Sequence, residues 1–191
     1  MKFVPPRKAE WRVTMDKRVS IAKCGSYAEA ECGVHESLAP LGGMGAFVKP
    51  GDKVVIKPNF VSRKKPDEAA TTHPAILRAV ICEVCAAGGS VIVAESPGGP
   101  YNKAALSAVY DGCGAKEAVE GTSAALNYNT EFSEKELPQG RTLRKFPIIK
   151  PITDADVIIS LPKLKTHAMT SYTAVSYTHL FRTALPRLPP L

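Results

Sequence analysis

The sequence predicts an α/β protein built on a mostly parallel sheet with helices on both faces, a Rossmann-like layering. Short apolar runs alternate along the chain with stripes at helical spacing. Two of the runs, SVIVAES and ADVIISL, are nearly all apolar, as strands covered on both sides tend to be. Glycine and proline pairs punctuate the segments between them.

Taken in order, Arg18 to Cys24 alternates as a strand, and Tyr27 to Leu41 reads as a helix closed by Gly42 and Gly43. The turn Pro50-Gly51-Asp52 releases a short apolar strand, Lys53 to Asn59, halted by Pro58. Thr71-Thr72-His73-Pro74 opens a second helix with Thr72 or His73 near the cap and Pro74 at the first helical position, where a missing N–H costs nothing. Its stripe of Ile76, Leu77, Val80, Ile81 and Val84 ends at Gly88-Gly89. Ser90 to Ser96 is the third strand, and Lys103 to Tyr110 carries a short helical stripe. Asn127 to Gly140 is polar and without pattern, Leu143 to Ile152 reads as an edge strand broken by Pro147 and Pro151, and Ala155 to Leu161 is a buried strand.

The chain has 191 residues and a formal net charge of +7, with an ordinary globular composition. No apolar run approaches the roughly 18 residues of a membrane span, and no export signal is visible, so the expectation is a cytoplasmic protein without a membrane partner. The first 18 residues carry six basic and two acidic side chains. This local basicity reads as a solvated N-terminal arm over residues 1–17, and without a stacking strand or recognition motif it does not imply nucleic acid. Five cysteines at wide spacing read as free thiols. Cys82 and Cys85 fall inside the apolar stripe of the second helix, where they read as small core or flank residues rather than a redox or zinc pair.

Ligands of open α/β sheets bind beyond the carboxyl ends of the strands. Those ends carry Lys57 and Asn59, then Glu95 and Ser96, then Lys163, Lys165, Thr166 and His167. In a parallel sheet all converge on one edge. Each has a plain structural reading: Lys57 snorkelling from an edge, Glu95 as its counter-ion, Lys163 and Lys165 on one solvated strand face. Together the three lysines favour a small anionic ligand, with Asn59 and Thr166 as hydrogen-bonding partners and Glu95 and His167 as acid/base candidates. A metal site from His73, Glu95 and His167 has no spacing to support it, so no metal is assigned.

The segments VVIKPN, TTHPAILRAVICEV, GGSVIVAES and ADVIISLPKLKTHAMTSYTAV resemble, in order and spacing, the family catalogued as domain of unknown function 362. The resemblance covers about Val19 to Val175 and points to Lys57, Asn59, Thr72, His73, Pro74, Glu95, Asp156, Pro162, Lys163, Lys165, Thr166 and His167 as motif residues, which adds His73 to the ligand-binding candidates. It also implies a frequent association with ferredoxin-like iron–sulfur modules. This chain has no C-x-x-C-x-x-C run, so a [4Fe–4S] cluster would belong to the full-length protein and not to this chain. An iron–sulfur electron-transfer protein is therefore the alternative to the anion-binding reading, and the resemblance leaves the cofactor unknown.

Residues 18–175 thus read as a single α/β domain, incomplete at its C-terminal end. After residue 175 the sequence leaves the family pattern, and Pro186, Pro189 and Pro190 forbid a regular element. Residues 176–191 read as a non-native tail, a frame change or assembly artefact at the end of a longer protein.

Overall fold

A computed structural model describes residues 18–138, 140, 144–167 and 171–173. The expected N-terminal arm and the non-native tail lie outside the described residues.

Four parallel strands form the central sheet in the order β3-β2-β1-β6: β1 (Lys53–Pro58), β2 (Ser90–Val93), β3 (Ala125–Leu126) and β6 (Val157–Leu161). The hairpin partners β4 (Phe132–Glu136) and β5 (Lys145–Ile149) form a separate antiparallel pair, as do β7 (Lys165–His167) and β8 (Ser171–Thr173). The helices are α1 (Ala30–Leu38), α2 (Pro74–Ala86), α3 (Lys103–Gly112), α4 (Ala115–Val119) and the single turn α5 (Lys150–Thr153). The α/β class is the one the sequence predicts.

The register explains the packing. Val54, Val91 and Val157 are neighbours across the ladder, as are Ile56, Val93 and Ile159, so these residues share one face. They pack with Leu77, Val80, Ile81 and Val84 of α2 and with Leu106, Val109 and Tyr110 of α3 in the main core. Such area removed from water is the main stabilising term. The opposite face is thinner: Val55 and Ala94 are buried under Ile149, with Ile152 of α5 beside them. Ile92 and Ile158, which flank Val55, stay 39% and 37% exposed. Helices lie on both faces, but among the described residues the second face is covered by the short turn α5 and by Ile149 of β5.

Three expectations change. Arg18 to Cys24 is irregular, with Val19 and Ile21 exposed, because among the described residues no neighbouring strand takes up its alternating pattern. The polar stretch after Asn127 contains β4, a strand that pairs with β5 and buries little, so it lacks the apolar signal of a core strand. β6 is not a buried strand: it is an edge of the described sheet, and its residues alternate between half-buried and exposed.

Two glycines are dictated locally. Gly88 sits at φ +85°, a left-handed conformation just past α2 that glycine adopts without a Cβ penalty. At Gly89 a Cβ would meet Val48 and Val84 side chains at 2.8 and 2.9 Å, so the chain enters β2 through a space only a hydrogen can fill. Among the described residues no helix is long and apolar enough to cross a membrane. Cys82 is exposed and Cys85 half-buried on α2, with the Cys85 Sγ 3.3 Å from Ser123 Oγ, which matches a flank position.

Candidate functional site

The carboxyl ends of β1, β2 and β6 meet at one edge, and Glu95 lies at the centre of it. Its side chain is 5% exposed, and its Oε1 lies 2.9 Å from Lys57 Nζ. Glu95 Oε2 accepts from Lys57 Nζ and from the Phe60 backbone N–H, both at 3.1 Å, while Oε1 accepts from the Ser96 N–H at 2.8 Å. A buried carboxylate survives only with such partners. The ammonium and the two backbone donors tie the ends of β1 and β2 together, so Glu95 acts as a joint between strands.

A second joint is Thr72. Its hydroxyl donates to the Leu161 carbonyl at 2.6 Å and accepts from the Asn59 N–H at 2.8 Å, while its own N–H reaches the Asn59 carbonyl at 3.2 Å. The end of β1, the start of α2 and the end of β6 are thereby fixed to one another. Asp156 does the same at the opposite end of the ladder: its Oδ2 accepts from the Lys53 N–H at 2.8 Å, and its N–H donates to the Lys53 carbonyl at 2.9 Å.

Lys165 enters this frame from β7. Its Nζ donates to Asn59 Oδ1 at 2.7 Å and to the Ala70 carbonyl at 2.6 Å. Burial pushes its pKa down; Glu95 works against that shift and Lys163 adds to it. Lys163 Nζ donates to the Tyr27 hydroxyl at 3.0 Å. The same nitrogen is 5.7 Å from the ring centre, so it lies in line with the phenolic C–O bond, at the ring's edge. The Tyr27 ring stacks flat on His73, with centroids 3.5 Å apart and planes 3° from parallel.

His73 is the N-cap of α2. Its Nδ1 accepts from the Ala75 N–H at 3.2 Å, with Pro74 at the first helical position as expected. Burial, with the charge of Lys163 second, holds the imidazole below its ordinary pKa and favours the neutral form that an accepting Nδ1 requires. In that form the ring proton sits on Nε2.

Of the residues read from the sequence, Lys57, Asn59, His73, Glu95, Lys163 and Lys165 stand in this one network. Thr166 is exposed in β7. His167 lies in β7 opposite Ser171, and the acid/base role expected of its side chain lies outside the described residues. Sequence reasoning missed Tyr27, which is 136 positions from its partner Lys163 and sits in a segment with no functional pattern. It also gave Thr72 only as a motif residue near the cap of α2, a position that His73 takes. Among the described residues no group of three or more His, Cys, Asp or Glu side chains could hold a metal ion. An open cleft of about 450 Å³ beside Arg63, Lys65, Glu68, Asp111 and Glu117 shares no lining residue with the lysine cluster. Glu68 and Asp111 are already paired there with Lys64 and Lys116.

The fold and the strand-edge network define an α/β protein with polar and cationic groups gathered beyond the carboxyl ends of a parallel sheet. Residues 54–176 match the family described as a domain of unknown function (DUF362), and the chain belongs to that family. A thylakoid-associated protein of Synechocystis sp. is 32% identical over 172 residues, which cover 83% of this chain and 48% of the relative. The chain thus spans about half the length of that curated relative. No solved structure gives a significant match.

Proposed function

We propose that the carboxyl edge of the sheet binds a small anionic ligand at Lys165 and Lys163, with Asn59 and His73 completing the polar surround. The observation that supports this reading is the state of Lys165. An ammonium has three protons to donate. Two of those on Lys165 go to neutral acceptors, and the carboxylate that stabilises it, Glu95, is already engaged by Lys57 and two backbone N–H groups. Its charge is therefore desolvated more than it is compensated, and an arriving anion supplies the missing compensation.

Glu95 does not take the acid/base part in this proposal, since its oxygens are occupied by three donors. His73, neutral and able to donate from Nε2, is the better candidate to contact the ligand. The test is isothermal titration of the purified protein with inorganic phosphate and with small mono- and dicarboxylates, repeated on Lys165→Ala and Lys163→Ala. Lys116→Ala, an exposed lysine paired with Asp111, serves as the control. Loss of about 2–3 kcal/mol of affinity in either site variant, as for removing one partner of a charge-assisted bond, supports the reading. Unchanged binding in both overturns it.

A further inference from the structure

We infer that the Lys165 side chain is a nucleophile that forms a Schiff base with a carbonyl compound bearing an anionic group. The inference rests on the anion-binding reading for the charge on the ligand, and on the amine's own surroundings for its reactivity.

The three lysines of the site differ in what their nitrogens face. Lys57 is committed to the buried Glu95 carboxylate, and Lys163 donates to the Tyr27 hydroxyl. Lys165 is held by two neutral carbonyl-type oxygens, Asn59 Oδ1 and the Ala70 carbonyl. A neutral amine has two N–H bonds and one lone pair. The two acceptors match those two N–H bonds, so loss of the third proton leaves every donor satisfied and turns the lone pair toward the position that proton vacated. The same contacts fix the direction of that lone pair, because both acceptors belong to backbone or to a side chain on the rigid edge of β1. Asn59 is itself held through its backbone N–H and carbonyl by Thr72. Burial, against the opposing charge of Glu95 and with a smaller push from Lys163, shifts the amine toward its deprotonated form, as desolvation does in lysines that react with carbonyls.

In the proposed step the Nζ lone pair forms a bond to the carbonyl carbon as the C=O π pair moves to oxygen. Nitrogen gives up a proton to solvent, and the oxygen takes up two and leaves as water. The product is a protonated C=N linkage at Lys165. Atoms and charge balance as amine plus carbonyl plus one proton giving iminium plus water, with no oxidant or reductant. The anionic group of the ligand lies toward Lys163, whose charge acts on both His73 and Lys165.

The experiment treats the whole chain with pyruvate, and in parallel with acetone, under sodium borohydride, which reduces an imine to a stable secondary amine. Intact mass and peptide mapping locate the adduct. A single adduct on the Lys165 peptide, greater with pyruvate than with acetone and lost in Lys165→Arg, supports the inference. No adduct, or one spread over several lysines, overturns it, provided circular dichroism shows the protein folded. Calorimetric titration with lactate, which has the carboxylate but no carbonyl, separates the two readings. Lactate binding without a pyruvate adduct overturns the imine and leaves the anion site standing. An equal Lys165 adduct with acetone and no lactate binding supports the nucleophile and overturns the anion site. Absence of both overturns both.

Discussion

Replacing Glu95 by glutamine tests the joint between β1 and β2 with almost no change of shape. The carboxylate receives donors on both oxygens: Lys57 and the Phe60 N–H on one, Lys57 and the Ser96 N–H on the other. An amide has only one acceptor oxygen, so either orientation points its NH2 at a backbone N–H and orphans it. That costs about 1–3 kcal/mol. Lys57 also loses its counter-charge, but at 27% exposure it can rehydrate in part, so the roughly 3–5 kcal/mol of breaking a buried pair is an upper limit. A net loss of about 3 kcal/mol follows, which for a chain of this size lowers Tm by about 6–12 °C. Urea unfolding followed by circular dichroism, with the m value unchanged, measures it. In a cycle with Lys57→Met, the double variant should lose about 1–2 kcal/mol less than the sum of the singles. A Glu95→Gln loss below about 0.5 kcal/mol, the level of an ordinary surface change, would refute the reasoning.

Other outcomes follow from the same geometry. Thr72→Val removes the hydroxyl between the Asn59 N–H and the Leu161 carbonyl and should cost about 2–3 kcal/mol, largely restored in Thr72→Ser; equal losses in the two variants would disprove the bridge. Because His73 is held below its ordinary pKa, the unfolded chain binds more protons than the native one at mildly acidic pH. The stability this contributes is therefore present above the unfolded pKa of about 6.5 and is lost as pH falls toward the folded value. Denaturation series across that window should show a positive pH slope that His73→Asn, a non-titrating cap, reduces; an unchanged slope would remove His73 as its source. Gly89→Ala drives a methyl into Val48 and Val84 and should destabilise by about 1–3 kcal/mol, read by thermal melting. A neutral result there would show that the entry to β2 is looser than drawn.

The layered α/β arrangement was legible because Val, Ile and Leu runs of strand length alternate with the α2 stripe, and because Pro74 and Gly88 mark the ends of that helix. The strand-end rule then led to Lys57, Asn59, Glu95 and Lys165 without any measured distance. What sequence could not carry was pairing between distant segments. Whether β6 is central or at an edge depends on which strand neighbours it, and its composition is the same in both places. The hairpin of β4 and β5 is stabilised by cross-strand pairs such as Lys145 with Glu134 and Glu136, which leave no apolar alternation to read. Tyr27 entered the site only through geometry, its stack on His73 and the hydrogen bond it receives from Lys163.

The placement of β6 beside β1 bears on how the molecule folds. The elements from β1 through α2 to β2 are contiguous and can close early through local contacts, whereas Lys53 and Asp156 meet across 103 positions. Closing so long a loop is costly before its contacts repay it, so this pairing is expected to form late. During synthesis, with N-terminal segments structured first, Asn59, Thr72 and Glu95 can be positioned before Lys165 leaves the ribosome. The lysine then completes an edge already built, and substitutions along β6 should speed unfolding more than they slow folding.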